Sequence, residues 1–413
     1  MDMSELDGLA IDNFPPARRS LRTAVVTETY PPEVNGVALT IREVVEGLQR
    51  RNHDVQLIRP RRNGDDAAGS STRFHEVLMR GLPIPRYTNL RMGVPSKRAL
   101  VRLWSVRRPD VVHIATEGPL GWSALQAAMH LKLPVSSDFR TNFHAYSKHY
   151  GIGWLHKPIM AYLRKFHNRT QCTMVPTEAL RRDLERSGFR KLSVVARGVD
   201  THLFHPNRRS EALRRDWGAA ADDLVVTCVG RLAPEKNLGV LSAAFEQILK
   251  AQPNAKLLLV GDGPLRDELK TRWPVAVLAG QRTGHDLAAH YASADLFLFP
   301  SVTETFGNVT IEAMASGLPV VAFNYAAAAQ LIRDDDNGCL VPFGDDAAFI
   351  KVTARLADDA PRRRWMGERA RQSAGDAGWD GVVARFESVL LNVIRDSAAA
   401  EELPLGMLRT PVA

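Results

Sequence analysis

Cysteine is scarce in this chain. Only three occur among 413 residues, at positions 172, 228 and 339. They are odd in number, far apart and without CxxC spacing, which excludes a disulfide framework and a zinc ribbon and points to a reducing compartment. No run of 18 apolar residues exists, so no transmembrane helix is expected. The first 20 residues place four acids before the first base and have no apolar core, so they read as a loose tail rather than a signal peptide. A GxGxxG fingerprint is missing too, which takes support from a nicotinamide oxidoreductase. There is no short-period repeat, and no low-complexity tract longer than Ala326–Ala329.

What is present is ordinary globular composition, 45% hydrophobic, with a length suited to two domains. The net charge of +8 is unevenly distributed. Residues 21–205 hold 29 Lys and Arg against 15 Asp and Glu, a balance of +14, whereas residues 206–413 hold 23 against 27, a balance of −4. An anionic partner is therefore expected for the first half alone. Nucleic acid, a membrane surface and a phosphorylated substrate all fit that charge. No nucleic-acid motif accompanies it, however, and many of the arginines fall on helix faces or turns.

Short Val/Ile/Leu-rich runs alternate with segments of helical period. Strands are expected at 22–27, 54–58, 110–114, 134–137, 172–175 and 192–196, then again at 224–229, 255–260, 275–279, 295–299 and 318–323. Strand–helix alternation implies parallel sheets covered on both faces, and its restart implies an α/β chain of two Rossmann-like domains. The expected division is a tail at 1–20, a first domain at 21–197, an irregular linker at 198–222 and a second domain at 223–375. A final amphipathic helix at 376–398 is expected to pack back on the first domain. Two such domains facing each other place the site in the cleft, just beyond the strand ends.

Three strand ends carry candidate chemistry. After 22–27 comes ETYPPEVNGV, where Asn35-Gly36 leads into a helix, either as an anion-binding helix start or as a simple positive-φ turn. After 224–229 comes GRLAPEKN, whose Arg231 and Lys236 suit a diphosphate; the alternative is a solvated salt bridge to Glu235. After 295–299 comes PSVTETFGNVTIE. Its Glu304 and Glu312 lie eight positions apart around Gly307, with Asn308 as the expected N-cap, so phosphate at the helix start and hydroxyls at the acids describe a sugar-nucleotide pocket; the alternative is that Glu312 merely favours the helix dipole. GDGP at 261–264 reads as a turn, and Asp334-Asp335-Asp336-Asn337-Gly338 as a polar turn rather than a metal motif. The long aromatic segment 138–150, with Arg140, Asn142, His144 and Tyr146, sits where a cleft loop belongs, for acceptor recognition or catalysis or as a packed surface loop.

Taken together and in this order, ETYPPEVNGV, VGRLAPEKN and ETFGNVTIE resemble the retaining glycosyltransferases of family 4, which have the GT-B fold. The likeness runs from about 21 to 390 and is strongest to α-mannosyltransferases that use GDP-mannose, with similarity also to diacylglycerol glycosyltransferases. The resemblance implies that Arg231 and Lys236 bind the donor diphosphate, Glu312 the ribose and Glu304 the donor sugar. It also implies that Phe306, Gly307, Asn308 and Val309 present backbone groups to the donor, and that Gly36 lets the first domain approach the phosphate. No metal or cofactor is implied, the nucleotide sugar being a substrate. The implied acceptor is a lipid or glycolipid, while the +14 balance of the first half is what leads to the expectation of a cytoplasmic protein attached peripherally to the anionic inner face of the plasma membrane. One departure stands out: relatives carry His where this chain has Arg140, so either Arg140 makes a different contact or His144 takes the role. Asn324 is a second departure, at a position where close relatives often have Asp.

Overall fold

The computed structural model describes residues 20–33, 35–84, 87–140, 156–304 and 306–402. The first domain runs β1 (Arg22–Val26), α1 (Gly36–Arg50), β2 (Asp54–Pro60), β3 (Ser70–Ser71), β4 (Phe74–Met79), β5 (Gly81–Ile84), β6 (Tyr87–Gly93), α2 (Lys97–Val106), β7 (Val111–Ile114), α3 (Pro119–His130), β8 (Val135–Asp138), α4 (His156–His167), β9 (Cys172–Val175), α5 (Glu178–Arg186) and β10 (Leu192–Val194). Eight strands form one sheet in the order β10-β9-β8-β7-β1-β2-β4-β3, parallel apart from β3 against β4, while β5 and β6 make a separate hairpin.

The second domain runs α6 (Glu211–Asp216), β11 (Val225–Val229), α7 (Leu238–Ala251), β12 (Lys256–Val260), α8 (Arg266–Arg272), β13 (Ala276–Gly280), α9 (Gly284–Ala292), β14 (Leu296–Phe299), α10 (Asn308–Ala315), β15 (Val320–Phe323), α11 (Ala326–Leu331), β16 (Cys339–Val341), α12 (Asp346–Asp358), α13 (Ala360–Gly375) and α14 (Trp379–Glu402). Its six strands are all parallel, in the order β13-β12-β11-β14-β15-β16. VVTCV, LFLF and VVAF show no polar alternation because helices cover both faces and every residue in them is buried.

Sheet order fixes where a ligand belongs. In the second sheet the chain moves from β11 outward to β13, then returns to place β14 on the other side of β11. The crevice at the carboxyl ends of β11 and β14 is thus the topological switch point. The first sheet reverses in the same way between β1 and β7.

Residues 198–222 are more ordered than the irregular linker expected from sequence. A single 3-10 turn at Pro206–Arg208 and α6 lie within them. Arg371 holds this segment by donating to the carbonyls of Thr201, Phe204 and Ala315. From α13 the chain returns to the first domain. Val199 bridges Gly378, and α14 buries Val383, Phe386, Val389, Leu390 and Val393 with Leu21, Ile41, Val44 and Leu48. Gly47 permits this approach, since a β-carbon there would stand 2.5 Å from Val383 Cγ2.

Candidate active site

The two cation–acid motifs of the second domain meet at its switch point. Arg231 is exposed just beyond β11, and Lys236 lies in the 3-10 turn Pro234–Lys236 ahead of α7. Glu304 follows β14. Lys236 Nζ donates to Glu304 Oε1, and Ser301 Oγ donates to the same oxygen at 2.8 Å. Lys236 Nζ also stands 5.1 Å from the centre of the Phe299 ring. Where the alternative read from sequence is a solvated salt bridge to Glu235, Lys236 pairs with Glu304. Glu235 is buried, and its carbonyl instead accepts from Val302 N at 3.1 Å and Ser301 Oγ at 3.3 Å, which laces the two loops together.

Glycines bring the clamp loop into place. A β-carbon on Gly261 would fall 1.9 Å from the Gly230 carbonyl oxygen, and one on Gly263 2.4 Å from that of Leu232. GDGP runs into a turn at Pro264-Leu265 before α8, and its glycines form the surface against which the Arg231 loop rests. The three aspartates at 334–336 serve local structure: Asp334 Oδ1 accepts from Leu340 N at 2.8 Å, while Asp335 and Asp336 pair with Arg362 and Arg369.

Asn308 is the first residue of α10 and not its cap. Gly307 is the cap, in the left-handed region at φ 95°, and has no side chain with which to bond the leading amides. A helix start of this kind favours an anion. Phe306 is buried, and Asn308 and Val309 are half-buried at the helix start. Glu312, one turn further in, accepts from Tyr291 Oη at 2.9 Å. Part of Glu312 remains accessible, but its carboxyl sits deep enough that burial pushes its pKa up to about 7, against the lowering effect of the Tyr291 bond.

At the N-terminus of α1, Asn35 is the cap, extended at φ −149°. Its Oδ1 takes the amides of Val37 and Ala38 at 3.1 and 2.9 Å. The helix is therefore capped by its own side chain, and the positive-φ turn considered for Asn35-Gly36 is not formed. Gly36 matters through proximity instead: a β-carbon there would lie 3.1 Å from Arg197 Nη1 and 3.6 Å from Asn308 Nδ2. The first domain thus touches the start of α10 through this glycine.

Arg197 is the site residue that motif reading missed. It follows β10, is buried, and reaches Asn308 Oδ1 at 3.3 Å and the Gly36 carbonyl at 3.5 Å. Its only sequence signal is a lone arginine ahead of Gly198. Arg140 pairs with Asp138 at the end of β8, and Asp138 also meets His113 Nε2 at 3.0 Å. Burial raises the Asp138 pKa, but Arg140 and His113 outweigh it and hold the carboxyl below its usual value. Asn142, His144 and Tyr146 lie outside the described residues. Ser137, His167 and Glu117 form a bonded chain with the look of a hydrolase triad, yet Ser137 and His167 are 0% exposed and serve the core.

Residues 34–203 match the family model Glycosyltransferase Family 4, and residues 223–359 match Glycosyl transferases group 1. A GDP-mannose-dependent alpha-mannosyltransferase of Mycobacterium tuberculosis is 37% identical over 378 residues, 89% of this chain and 97% of that protein. The chain belongs to glycosyltransferase family 4. Further relatives are the sulfoquinovosyl transferase SQD2 of Arabidopsis thaliana (30% identical, 75% of this chain and 62% of that protein) and an alpha-monoglucosyldiacylglycerol synthase of Streptococcus pneumoniae (26%, 84% and 81%). Among solved structures, sucrose-phosphate synthase from Thermosynechococcus elongatus superposes with a TM-score of 0.72 at 20% identity, over 92% of this chain and 100% of that one. The protein is a hexosyltransferase of the GT-B fold. No helix among the described residues is long and apolar enough to cross a membrane.

Proposed function

We propose that this glycosyltransferase transfers mannose, with retention, from GDP-mannose to a lipid or lipid-linked acceptor. The observation that carries the reading is the 37% identity across nearly the whole of a GDP-mannose-dependent alpha-mannosyltransferase; the pairing of Lys236 with Glu304 beyond β11 and β14 supports it. Arg231, Lys236 and the start of α10 receive the diphosphate. Glu304 takes hydroxyls of the sugar, and Glu312 those of the ribose. Leaving-group charge is stabilised by these fixed cations and amides, which act most strongly once closure of the domains excludes water. The acceptor hydroxyl attacks on the face the phosphate leaves, and the departing phosphate oxygen receives its proton. The experiment is transfer activity across GDP-mannose, UDP-glucose, UDP-glucuronic acid and UDP-sulfoquinovose with membrane extract as acceptor. Label moving from GDP-mannose supports the reading, and transfer from a UDP-sugar alone replaces it.

That second reading, a UDP-sugar donor and a diacylglycerol acceptor, is favoured by the likeness to the streptococcal diacylglycerol enzyme and to the sulfoquinovosyl transferase. In both readings the basic first domain meets an anionic membrane at the cytoplasmic face. On α2, Leu100 and Trp104 are buried, while Lys97, Arg98, Arg102 and Val106 face outward, and a groove of about 880 Å³ beside it is lined by Arg80, Trp122 and Tyr162. Exposed basic residues near a lipid surface contribute about 1 kcal/mol each at low ionic strength. Vesicles containing anionic lipid should sediment the protein at low salt and release it at high salt; failure to bind at low salt sinks the membrane assignment.

A further inference from the structure

One cation in the cleft is used by none of the roles above. Arg197 is 6% exposed. Its hydrogen bonds among the described residues, to Asn308 Oδ1 and the Gly36 carbonyl, are long and go to uncharged acceptors. Its Nε is buried without a partner, and no carboxylate pairs with it among the described residues. The guanidinium stands 6.0 Å from the Phe306 ring centre, between a loop of the first domain and the start of α10 in the second. Burial, helped by the charge of Arg140 and only partly offset by Asp138 and Glu304, lowers its pKa to about 9.

Both of those acids are already engaged, Asp138 with Arg140 and His113, Glu304 with Lys236. Residues 141–155, which follow Arg140, contain no Asp or Glu at all. Among the described residues, Arg197 is thus a buried positive charge that no carboxylate pairs. Such an arrangement is costly unless a ligand supplies the anion.

We propose that Arg197 and Arg140 form an oxyanion subsite, separate from the Arg231–Lys236 clamp, that receives a carboxylate, sulfonate or phosphate carried by the acceptor or by the transferred sugar. The identity of the cleft as a donor–acceptor site rests on the transferase reading, whereas the anion site itself does not. Arg is suited to the task because its planar fork matches the two oxygens of such groups. An acidic substrate then completes the charge pairing as the domains close, and a neutral analogue leaves Arg197 unpaired. The subsite accordingly selects for acidic substrates.

The test titrates the full-length protein with inorganic phosphate, with and without saturating GDP, following heat of binding and Tm. With GDP bound, the wild-type protein should still bind phosphate, and Arg197→Met and Arg140→Gln should each weaken that binding at least tenfold. Free of ligand, Arg197→Met should be as heat-stable as wild type or more so, because an unpaired buried charge has become an apolar chain. Unchanged phosphate affinity in both variants overturns the proposal. So does a large drop in Tm for Arg197→Met with phosphate affinity retained in Arg140→Gln, the mark of a purely structural arginine. Phosphate binding that GDP abolishes would hand the two arginines to the donor diphosphate and also overturn it. The source is read by displacement: octyl glucuronide but not octyl glucoside indicates the acceptor, UDP-glucuronic acid but not UDP-glucose indicates the sugar, and displacement by neither pair removes the substrate role. Failure of wild type to bind GDP would refute the transferase reading while leaving the phosphate arm standing.

Discussion

Lys236 and Glu304, 68 residues apart in sequence, are ion-paired across the carboxyl ends of β11 and β14. The cation proposed for the diphosphate and the acid proposed for the sugar are therefore partners of each other. Ser301 steadies the pair from beneath, through a bond to the same carboxylate oxygen. Donor binding on this reading is an exchange: phosphate replaces carboxylate at Lys236, and Glu304 turns to sugar hydroxyls. The same pairing keeps the half-buried lysine in a defined position.

Removing either member should therefore cost more than a surface ion pair. A charge-assisted contact is worth about 1.5–3 kcal/mol, or roughly 10- to 150-fold in rate where it acts fully in the transition state. Lys236→Ala and Glu304→Ala, and likewise Arg231→Ala, should each lower kcat/KM for the donor by that range in a folded protein. The double variant of Lys236 and Glu304 should lose less than the product of the single losses, since the two residues share one interaction. Steady-state kinetics with labelled donor gives both numbers, and near-wild-type turnover in any single variant would remove that residue from the site.

Glu312 makes donor binding depend on pH. Burial holds its folded pKa near 7, above the ordinary value of 4.5, so the folded state keeps a proton that the unfolded chain releases. The sign follows: the carboxyl does not burden the fold below about pH 4.5, begins to do so as pH rises, and does so fully above 7. Glu312→Gln should thus melt higher than wild type at pH 8 and at the same temperature at pH 4.5. If the carboxylate accepts from ribose hydroxyls, donor KM should fall as pH rises through 7 in wild type and stay flat in Glu312→Gln. A flat wild-type profile would take Glu312 out of the ribose role.

Much of this was legible along the chain because it is locally encoded. The apolar runs of β11, β12, β14 and β15 announce buried parallel strands, and ETFGNVTIE places both acids around one helix start. Features that depend on residues distant in sequence carry no such pattern. Arg197 is a lone arginine after a three-residue strand, and only the fold brings it to Gly36 and Asn308. The β5–β6 hairpin escaped for a different reason: it lies outside the main sheets, and its Gly81, Pro83 and Gly93 break the alternation that marks a strand. The start of α1 stayed ambiguous in sequence, because Asn-Gly is a turn signal that Asn35 here satisfies by capping a helix.

Gly261 allows the clamp loop to sit where it does. An added β-carbon would overlap the Gly230 carbonyl at 1.9 Å, a backbone group with no rotamer to yield, and the residue is at φ +141°. Gly261→Ala should displace the Gly230–Arg231 segment, costing about 1–3 kcal/mol in urea denaturation and raising donor KM, with overall secondary structure kept. Gly239→Ala is the control, since nothing lies within 4 Å of a β-carbon there. Equal effects from the two substitutions would refute the close-approach account.

The clasp between α14 and the first domain gives a second pH-dependent element, of opposite sign. Glu387 accepts from Arg51 Nε at 2.5 Å and meets His53 Nε2 at 3.0 Å. Burial alone would raise its pKa, but the bonds from Arg51 and His53 prevail, and the value is lowered. The clasp is therefore fully in force above the unfolded value near 4.5 and is lost as pH falls through the lower folded one. Glu387→Ala leaves Arg51 and the buried His53 without their acceptor, so at pH 7 it should cost about 1.5–3 kcal/mol, the range for hydrogen bonds to charged groups. Amide exchange should quicken along α14 before it does in β11 to β15, since α14 lies outside the second domain's sheet and is held by this clasp to the first domain. A stability gap between wild type and Glu387→Ala that stayed constant from pH 7 down to 3 would show that α14 is held by its apolar face alone.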